Sequence, residues 1–200
     1  MFSDLIQYDK ELFLWLNFDG GSFMDTIMSY ASAKLTWVPL YLLVLFLIWR
    51  RHGWKYTLIA AVAIALAVVA VDQVCNVFKN ELPKLRPTRN PEFTGLIHRV
   101  SKPGGGIYTG GMYGTVSAHA ATTFTIVVIS SMIVRKRWFT AMMIVWAILV
   151  GYSRIYVGVH YPLDIFFGTM LGIATGFLIM YIVVRIIRRY RSTRNPAVGV

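Results

Sequence analysis

Residues 56–78 read YTLIAAVAIALAVVAVDQVCNVF, and this run decides the fold because Asp72 is its only charged residue. An α-helix rises about 1.5 Å per residue, so a helix of this length crosses the ~30 Å hydrocarbon core of a bilayer. Comparable apolar runs cover residues 32–49, 117–134, 138–157 and 161–187. A soluble domain rarely needs so many long apolar helices. The sequence therefore predicts an all-α fold, a polytopic membrane helical bundle with five spans.

The composition also indicates a lipid environment for most of the chain. Hydrophobic residues make up 56% of the 200 residues and charged residues 14%, whereas soluble domains average about 25% charged residues. This length fits a single domain, predicted to be one membrane-embedded unit over residues 1–200. The only cysteine, Cys75, excludes an intramolecular disulfide.

The N-terminal segment mixes large apolar residues with acidic ones and lacks the pattern of a signal peptide. Leu12 and Trp15 lie close to Asp9, and the segment breaks at Gly20-Gly21. This pattern predicts a short interfacial helix. The sequence leaves open whether the helix lies on the membrane or crosses it as a sixth span.

The net charge of +11 does not indicate a nucleic-acid partner, because the basic residues cluster at the ends of the apolar runs. Three clusters fall at alternate ends of the runs: Arg50, Arg51 and Lys55; Arg135, Lys136 and Arg137; and Arg185, Arg188, Arg189, Arg191 and Arg194. By the positive-inside rule these clusters and the C-terminus lie in the cytoplasm. We therefore expect a multi-pass protein of a bacterial cytoplasmic (inner) membrane.

The segment from Lys79 to Thr115 then falls on the outer, periplasmic face, where its charge breaks the positive-inside rule. Its basic residues are Lys79, Lys84, Arg86, Arg89, Arg99 and Lys102. A connection of about 37 residues is also far longer than ordinary helix connections. Basic charge on the unexpected side indicates an anion site, and a solvated basic loop is the alternative.

Side chains suited to a phosphate converge on this face. Lys79 and Arg86 are close enough in the chain to reach one phosphate, and Arg154 comes late in the fourth run. Ser117 is a preferred N-cap residue for the third span. His119 would then lie in the first helical turn, where free backbone amides and the helix dipole favour an anion.

His160 and Asp164 open the fifth run at a spacing that places two side chains on one helical face. A carboxylate beside an imidazole fixes its tautomer and raises its basicity. Pro162 suits the first turn of this helix. We therefore expect His160, oriented by Asp164, to attack phosphorus and His119 to protonate the departing oxygen. Water would then hydrolyse the phosphohistidine, with His119 as the base.

Three motifs carry a resemblance to a known family: Lys79-x6-Arg86-Pro87, Val116-Ser117-Ala118-His119, and Ser153-Arg154-x5-His160-x3-Asp164. Together they resemble the three-part motif of the type-2 phosphatidic acid phosphatase superfamily. The second part usually reads Pro-Ser-Gly-His in that family, so Val116 and Ala118 depart from it. Ala118 still offers a backbone N–H to a phosphate.

The resemblance implies a metal-independent phosphatase without a cofactor, acting on a lipid phosphate or diphosphate in the bilayer. It assigns catalysis to His160, Asp164 and His119, and phosphate binding to Lys79, Arg86, Arg154, Ser117 and Ala118. Consistent substrates are undecaprenyl pyrophosphate, phosphatidylglycerophosphate and the phosphates of lipid A. The alternative function is a phospholipid or anion transporter, which would bind the same headgroup without chemistry.

Other conspicuous residues are predicted to be structural. Gly168, Gly172 and Gly176 recur every fourth residue, which favours close helix packing within the bundle, with dimerisation as the alternative. His52 and His98 have no metal-ligating neighbours in the sequence and are assigned no chemistry. The sequence predicts no oligomeric state.

Overall fold

The computed structural model describes residues 2–194, with side chains for residues 3–190. Within this range the chain forms seven α-helices: α1 (Phe2–Leu16), α2 (Gly21–Ser32), α3 (Val38–His52), α4 (Trp54–Glu81), α5 (Ala118–Val134), α6 (Arg137–Tyr156) and α7 (Pro162–Arg194). Short 3-10 turns cover Lys34–Trp37, Pro87–Arg89 and Pro91–Phe93. The described residues contain two isolated β-bridges and no named strand, so the predicted all-α class is confirmed.

All five predicted apolar runs form helices, α3 to α7, but only some of them have the length and composition expected of an unbroken span. By length and composition three qualify: Trp54–Glu81, Arg137–Tyr156 and Pro162–Tyr190. A fourth span results if α2 and α3, which meet at a 74° bend, count as one broken span. The predicted run 32–49 contains this bend, because the chain leaves α2 after Ser32 and re-enters a helix only at Lys34. α5, with 17 residues, is apolar but shorter than the three helices that qualify.

α5 is the central helix and packs against α7, α6 and α4. Its contact with α7 depends on small residues, because a Cβ at Gly168 would collide with the carbonyl of Ser117 and one at Gly172 with the carbonyl of Ala121. At Gly176 a Cβ would lie 2.7 Å from Val128 Cβ. The interpretation of these glycines as packing residues within the bundle is confirmed.

The outward surfaces of the long helices are apolar and exposed. Only 28% of the most apolar α4 window and 17% of the corresponding α7 window are buried within the protein. Exposed side chains such as Leu66, Val69 and Phe177 cover these surfaces. Such large apolar surfaces are typical of helices surrounded by lipid, and the chain is a membrane protein.

α1 packs across the ends of α6 and α7 and is not among the helices that qualify as spans. Its Phe13 is fully buried, with its ring centroid 5.6 Å from that of Phe93 and 5.5 Å from that of Tyr161. Asn17, next after α1, donates to the carbonyl of Tyr156 at 2.6 Å. The N-terminal helix is therefore fixed to the same end of the bundle as the long loop. The break predicted at Gly20-Gly21 separates α1 from α2 as expected.

The connection from α4 to α5 folds back on itself instead of extending into solvent. Leu85 and Tyr113 form an antiparallel bridge. The amide of Gly114 donates to the carbonyl of Lys84 at 2.9 Å, and that of Thr88 to the carbonyl of Gly158 at 3.1 Å. These bonds fix residues 84–88 against the α6–α7 turn. Side chains of Arg191 and Arg194, counted in the third basic cluster, lie outside the described residues.

Candidate active site

The turn between α6 and α7 carries the predicted nucleophile. Gly158 has a φ of 75°, a conformation that favours glycine. The next amide, that of Val159, donates to the carbonyl of Arg154 at 3.1 Å. The chain therefore reverses within a few residues, so that Arg154 at the end of α6 and His160 before α7 lie at the same end of the bundle.

His160 and Asp164 are in direct contact, but not as two residues on one helix. α7 begins at Pro162, so the prediction that His160 opens this helix is wrong. Asp164 instead folds back over the helix start, where its Oδ2 accepts from His160 Nδ1 at 3.2 Å and from the Tyr161 amide at 3.0 Å. An acidic side chain in the third helical position that accepts from the N-cap amide is half of a capping box. The helix start thus holds the carboxylate in place.

The tautomer of His160 follows from its contact with Arg86. Arg86 Nη1 lies 3.1 Å from His160 Nε2. A guanidinium group only donates hydrogen bonds, so Nε2 must accept and the ring proton must lie on Nδ1, facing Asp164. The lone pair of Nε2, which accepts from Arg86, therefore lies on the side of the ring away from the carboxylate.

Arg86 is held firmly by backbone carbonyls. Its Nε donates to Tyr113 at 3.0 Å and its Nη1 to Val159 at 2.9 Å. Gly114 allows this close approach, since a Cβ there would lie 2.9 Å from Arg86 Cγ and 3.3 Å from His160 Nδ1. Among the described residues Arg86 Nη2 has no hydrogen-bond partner, so these two N–H groups remain available to an anion.

Burial, followed by the positive charges of Arg86, Arg154 and Lys79, holds the pKa of His160 well below its usual range. The side chain is only 3% exposed. A lowered pKa for a base means that its neutral form persists as the pH falls below the ordinary value of about 6.5. His160 is therefore neutral at physiological pH, which is the form that a nucleophilic imidazole requires.

Arg154 is a buried cation with unused hydrogen-bonding capacity. The residue is 7% exposed, and its Nη1 donates to the hydroxyl and carbonyl oxygens of Ser32, the last residue of α2. Its Nε is buried without a hydrogen-bond partner, and no carboxylate pairs with it among the described residues. An unpaired buried charge is costly, and an anion at this site would satisfy it.

The start of α5 provides the predicted anion-binding helix terminus. Ser117 is fully buried and caps the helix, because its hydroxyl accepts from the amide of Ala120 at 3.4 Å. The predicted N-cap is thus observed, and Ala118 and His119 occupy the first turn. The ring of His119 makes no hydrogen bond within the described part of the chain. It lies within electrostatic range of Arg154, His160 and Arg86.

Lys79 lies in the last turn of α4, where its ammonium group donates to Asn76 Oδ1 at 3.1 Å. Asn76 in turn donates to Asp72 Oδ2 at 3.3 Å. These two polar residues of the apolar run therefore support Lys79 within the same helix. Lys79 is close enough to Arg86 for their charges to interact, and no direct bond joins them in the described structure.

The structure thus brings Arg86, His160 and Asp164 into direct contact and arranges Lys79, His119 and Arg154 around them. Two contributors were missed in the sequence analysis. Lys84 Nζ lies 3.0 Å from Asp164 Oδ1 and 3.0 Å from Asp9 Oδ2. Lys84 was noted as one of the excess basic residues of the loop, but no role was predicted for it. Nothing in the sequence singled out Asp9.

A cavity of about 560 Å³ extends from this site between α3, α4 and α5. His119, Ser32 and Lys34 lie at its polar end. Most of its wall is apolar and is formed by residues including Trp37, Tyr41, Val44, Ile64, Val68 and Ile126. A mostly apolar pocket with a few convergent polar groups is typical of a site for an amphiphilic small molecule.

His98 has acidic neighbours that the sequence analysis did not foresee. Its Nε2 lies 2.7 Å from Asp25 Oδ1 and its Nδ1 lies 3.9 Å from Asp19 Oδ1. The potential ligand atoms of these three side chains lie within 4.8 Å of one another, close enough to hold a metal ion. The Asp25 carboxylate also accepts from the hydroxyl of Tyr156 at 2.6 Å. This cluster joins the loop to α2 and to the turn that precedes it. The expectation that His98 has no metal-ligating neighbours is therefore wrong.

A model of the PAP2 superfamily matches residues 56–188. This range includes all of the predicted catalytic and phosphate-binding residues and most of the chain. The chain therefore belongs to the PAP2 superfamily, and the family predicted from its three motifs is confirmed.

Two curated relatives match nearly all of the chain. A protein of Bacteroides thetaiotaomicron named lipid A 4'-phosphatase is 35% identical over 204 residues, covering 100% of this chain and 88% of that protein. A Sulfolobus acidocaldarius protein named undecaprenyl-diphosphatase is 30% identical over 177 residues, covering 86% of this chain and 77% of its own length.

Two crystal structures share the fold. LpxE of Aquifex aeolicus is 26% identical with a TM-score of 0.61, over 86% of this chain and 93% of that chain. A transmembrane PAP2-type phosphatidylglycerolphosphate phosphatase of Bacillus subtilis has a TM-score of 0.67 at 19% identity, over 92% of this chain and 88% of that chain. The similarity to the second structure concerns the fold alone.

Proposed function

We propose that this chain hydrolyses a phosphomonoester or diphosphate of a membrane lipid through a phosphohistidine intermediate. The coarser assignment, a membrane-embedded lipid phosphatase of the PAP2 superfamily, is supported by the family match and by both curated relatives. The observation that carries the mechanism is the Nε2 lone pair of neutral His160, which Asp164 orients and which faces Arg86. We further propose that residues 1–200 act as one domain.

The first half-reaction begins with the phosphate held by cations. Free N–H groups of Arg86 and Arg154 donate to its non-bridging oxygens, and Lys79 adds a positive charge. His160 Nε2 forms a bond to phosphorus while the bond from phosphorus to the lipid oxygen breaks. The negative charge of the bound phosphate favours the protonated form of His119, which gives its proton to that oxygen. Asp164 stabilises the positive charge that develops on His160.

The second half-reaction regenerates the enzyme with water. His119, now neutral, takes a proton from a water molecule, whose oxygen attacks phosphorus. The bond between phosphorus and His160 Nε2 breaks, and its electron pair returns to the ring. The amides at the start of α5, including those of Ala118 and His119, favour the negative charge on the phosphoryl group in both steps. Ser117 supports this terminus through its cap.

We propose a lipid A phosphate as the first substrate to test, with undecaprenyl pyrophosphate second and phosphatidylglycerophosphate third. The higher identity and fuller coverage of the lipid A 4'-phosphatase relative support this order. The mostly apolar cavity beside His119 suits the apolar part of a lipid next to its phosphate and does not by itself rank the three lipids.

The proposal is tested by phosphate release from these three lipids with protein purified in detergent. We expect release from at least one lipid, at equal rates with and without EDTA, because the residues around His160 supply positive charge without a metal. The absence of release from every lipid, together with phospholipid movement in proteoliposomes, would instead support the transporter.

The proposed topology places the site on the outer face of the cytoplasmic membrane and the C-terminus in the cytoplasm. We expect a membrane-impermeant maleimide to label a Lys102→Cys variant in intact spheroplasts, because Lys102 is exposed in the α4–α5 connection. A Lys136→Cys variant, exposed at the α5–α6 turn, should label only after lysis. Both carry Cys75→Ser to remove the native thiol. The reverse labelling pattern would contradict this orientation.

A further inference from the structure

A buried charged residue of α1 lies beside the proposed catalytic pair. Asp9 is 5% exposed, although buried carboxylates are rare unless they are paired. It precedes the residues 56–188 that define the family match. The proposed mechanism gives it no role, so its burial at this position calls for an explanation.

Lys84 joins Asp9 to Asp164. Its ammonium group lies 3.0 Å from Asp9 Oδ2 and 3.0 Å from Asp164 Oδ1. The same group lies 4.0 Å from the ring centroid of Tyr161, within the range of a cation–π interaction. Both carboxylates are nearly inaccessible, with side-chain exposures of 3% for Asp9 and 2% for Asp164. One cation is thus shared between two buried anions.

The two carboxylates divide their oxygens in a definite way. Asp164 uses Oδ1 for Lys84 and Oδ2 for His160. Asp9 uses Oδ2 for Lys84, and its Oδ1 accepts from the amide of Leu163 at 2.9 Å. Leu163 lies in the first turn of α7, next to Asp164. Asp9 therefore contacts both Lys84, which pairs with Asp164, and the start of α7, which carries Asp164.

We propose that Asp9 and Lys84 are positioning residues for the His160–Asp164 pair, an inference that rests on the proposed function of this site. Lys84 occupies Oδ1 of Asp164, which directs Oδ2 toward His160 Nδ1. Asp9 shares the charge of Lys84, so that the group of two carboxylates and one ammonium keeps a net negative charge. That charge stabilises the imidazolium that forms when His160 attacks phosphorus.

Removing either residue is expected to lower kcat without a comparable change in KM, because neither side chain reaches the substrate. Without Lys84, Asp164 is free to rotate away from His160. Without the negative charge of Asp9, Lys84 pairs with Asp164 alone and neutralises it. Small misplacements of catalytic groups cost up to about 100-fold in rate. We expect kcat to fall about 10-fold in Asp9→Asn and 10- to 100-fold in Lys84→Met.

The chain offers a matched control for a role in packing alone. Lys10, the next residue of α1, forms an ion pair with Glu92 of the loop at 2.5 Å. That pair also joins α1 to the loop but does not contact Asp164. We expect Lys10→Met to keep kcat within about twofold of the wild type, and Lys84→Arg to restore most of the activity lost in Lys84→Met.

The experiment measures kcat and KM for these variants and for the double variant Asp9→Asn/Lys84→Met. Because the two residues act through one carboxylate, the double variant is expected to lose about as much kcat as the more impaired single variant, and less than the product of the two single losses. Unchanged kcat in both single variants, a loss confined to KM, or an equal loss in Lys10→Met would overturn the proposal.

A second measurement does not depend on hydrolysis, so that failure of the proposed function and failure of this inference can be distinguished. Spectra of ¹⁵N-histidine-labelled protein report which ring nitrogen carries the proton and whether that proton is hydrogen-bonded. Because Arg86 keeps the proton on Nδ1 in every variant, the readout is the Nδ1–H···Asp164 hydrogen bond. We expect a downfield, slowly exchanging Nδ1–H signal of His160 in the wild type and in Lys10→Met, and a shifted, rapidly exchanging one in Lys84→Met. An unchanged His160 signal in Lys84→Met contradicts the positioning role even if no lipid is hydrolysed.

Discussion

Replacing His160 by glutamine is expected to abolish lipid phosphate hydrolysis, with a loss of roughly 10⁴-fold or more in kcat, as for other enzymes that lose a nucleophile or its base. The glutamine side chain can still accept a hydrogen bond from Arg86, so the site keeps its shape while losing the attacking lone pair. The loss is measured as phosphate release from the preferred lipid, under conditions where the wild type turns over many times.

A second histidine provides the control for His160→Gln. His52, at the end of α3, contacts the carbonyl of Ile133 through its Nε2 and the ring of Tyr56, at the opposite end of the bundle from the site. We expect His52→Gln to retain wild-type activity. Thermal unfolding followed by tryptophan fluorescence should show that both variants fold. More than a tenth of wild-type kcat in folded His160→Gln would exclude His160 as the nucleophile.

Replacing Arg154 by methionine is expected to impair catalysis while leaving the protein as stable as the wild type or more so. The guanidinium is buried, lacks a carboxylate partner and keeps an unpaired Nε. Replacing a buried ion pair by apolar side chains of similar volume is often neutral or stabilising, and a buried charge without an ionic partner lacks the attraction that offsets its loss of hydration. Loss of a donor to the phosphoryl group costs about 10²- to 10³-fold in rate. We therefore expect kcat/KM to fall by this factor and Tm to stay equal or rise.

Binding of orthovanadate, an analogue of phosphate, provides a second measurement of the role of Arg154. The anion should raise the Tm of the wild type by binding at the cations, and raise it much less in Arg154→Met. Arg99→Met is the matched control, because Arg99 carries the same charge but is exposed on the α4–α5 connection. A large fall in Tm for Arg154→Met alone, without a change in the vanadate effect, would assign Arg154 a structural role.

The family and most of the candidate site could be predicted from the sequence, because the patterns that indicate them involve residues close together in the chain. The apolar runs predict helices directly, and the motif spacings place Arg86, His119 and Asp164 at helix ends that a bundle must bring together. The N-cap of Ser117 is also a local property. In each case the residues that carry the signal are close in the chain or at fixed distances from a span.

Features that depend on distant contacts could not be read in this way. Hydropathy does not reveal α2 or the bend after Ser32, because α2 mixes apolar residues with polar ones and the predicted apolar run begins only at its last residue. The burial of Asp9 depends on Lys84 and Leu163, which are 75 and 154 residues away in the chain. His98 likewise meets Asp25 only because the loop folds over α2. The contact of His160 with Asp164 was expected, but its geometry depends on where α7 begins.

The close packing of α5 against α7 has a consequence for how a lipid enters the site. Glycines at the contact let the two helices pack closely, and the amide of Ser117 donates to the carbonyl of Asp164 at 3.0 Å. The starts of α5 and α7, which carry His119 and Asp164, are therefore joined directly. In the described structure no hydrogen bond joins the cavity-lining residues of α3 and α4 to α7 or to Asp164. We therefore expect a lipid to enter from the bilayer between α3 and α4, past the proposed proton donor, without parting the contact that holds His119 near Asp164.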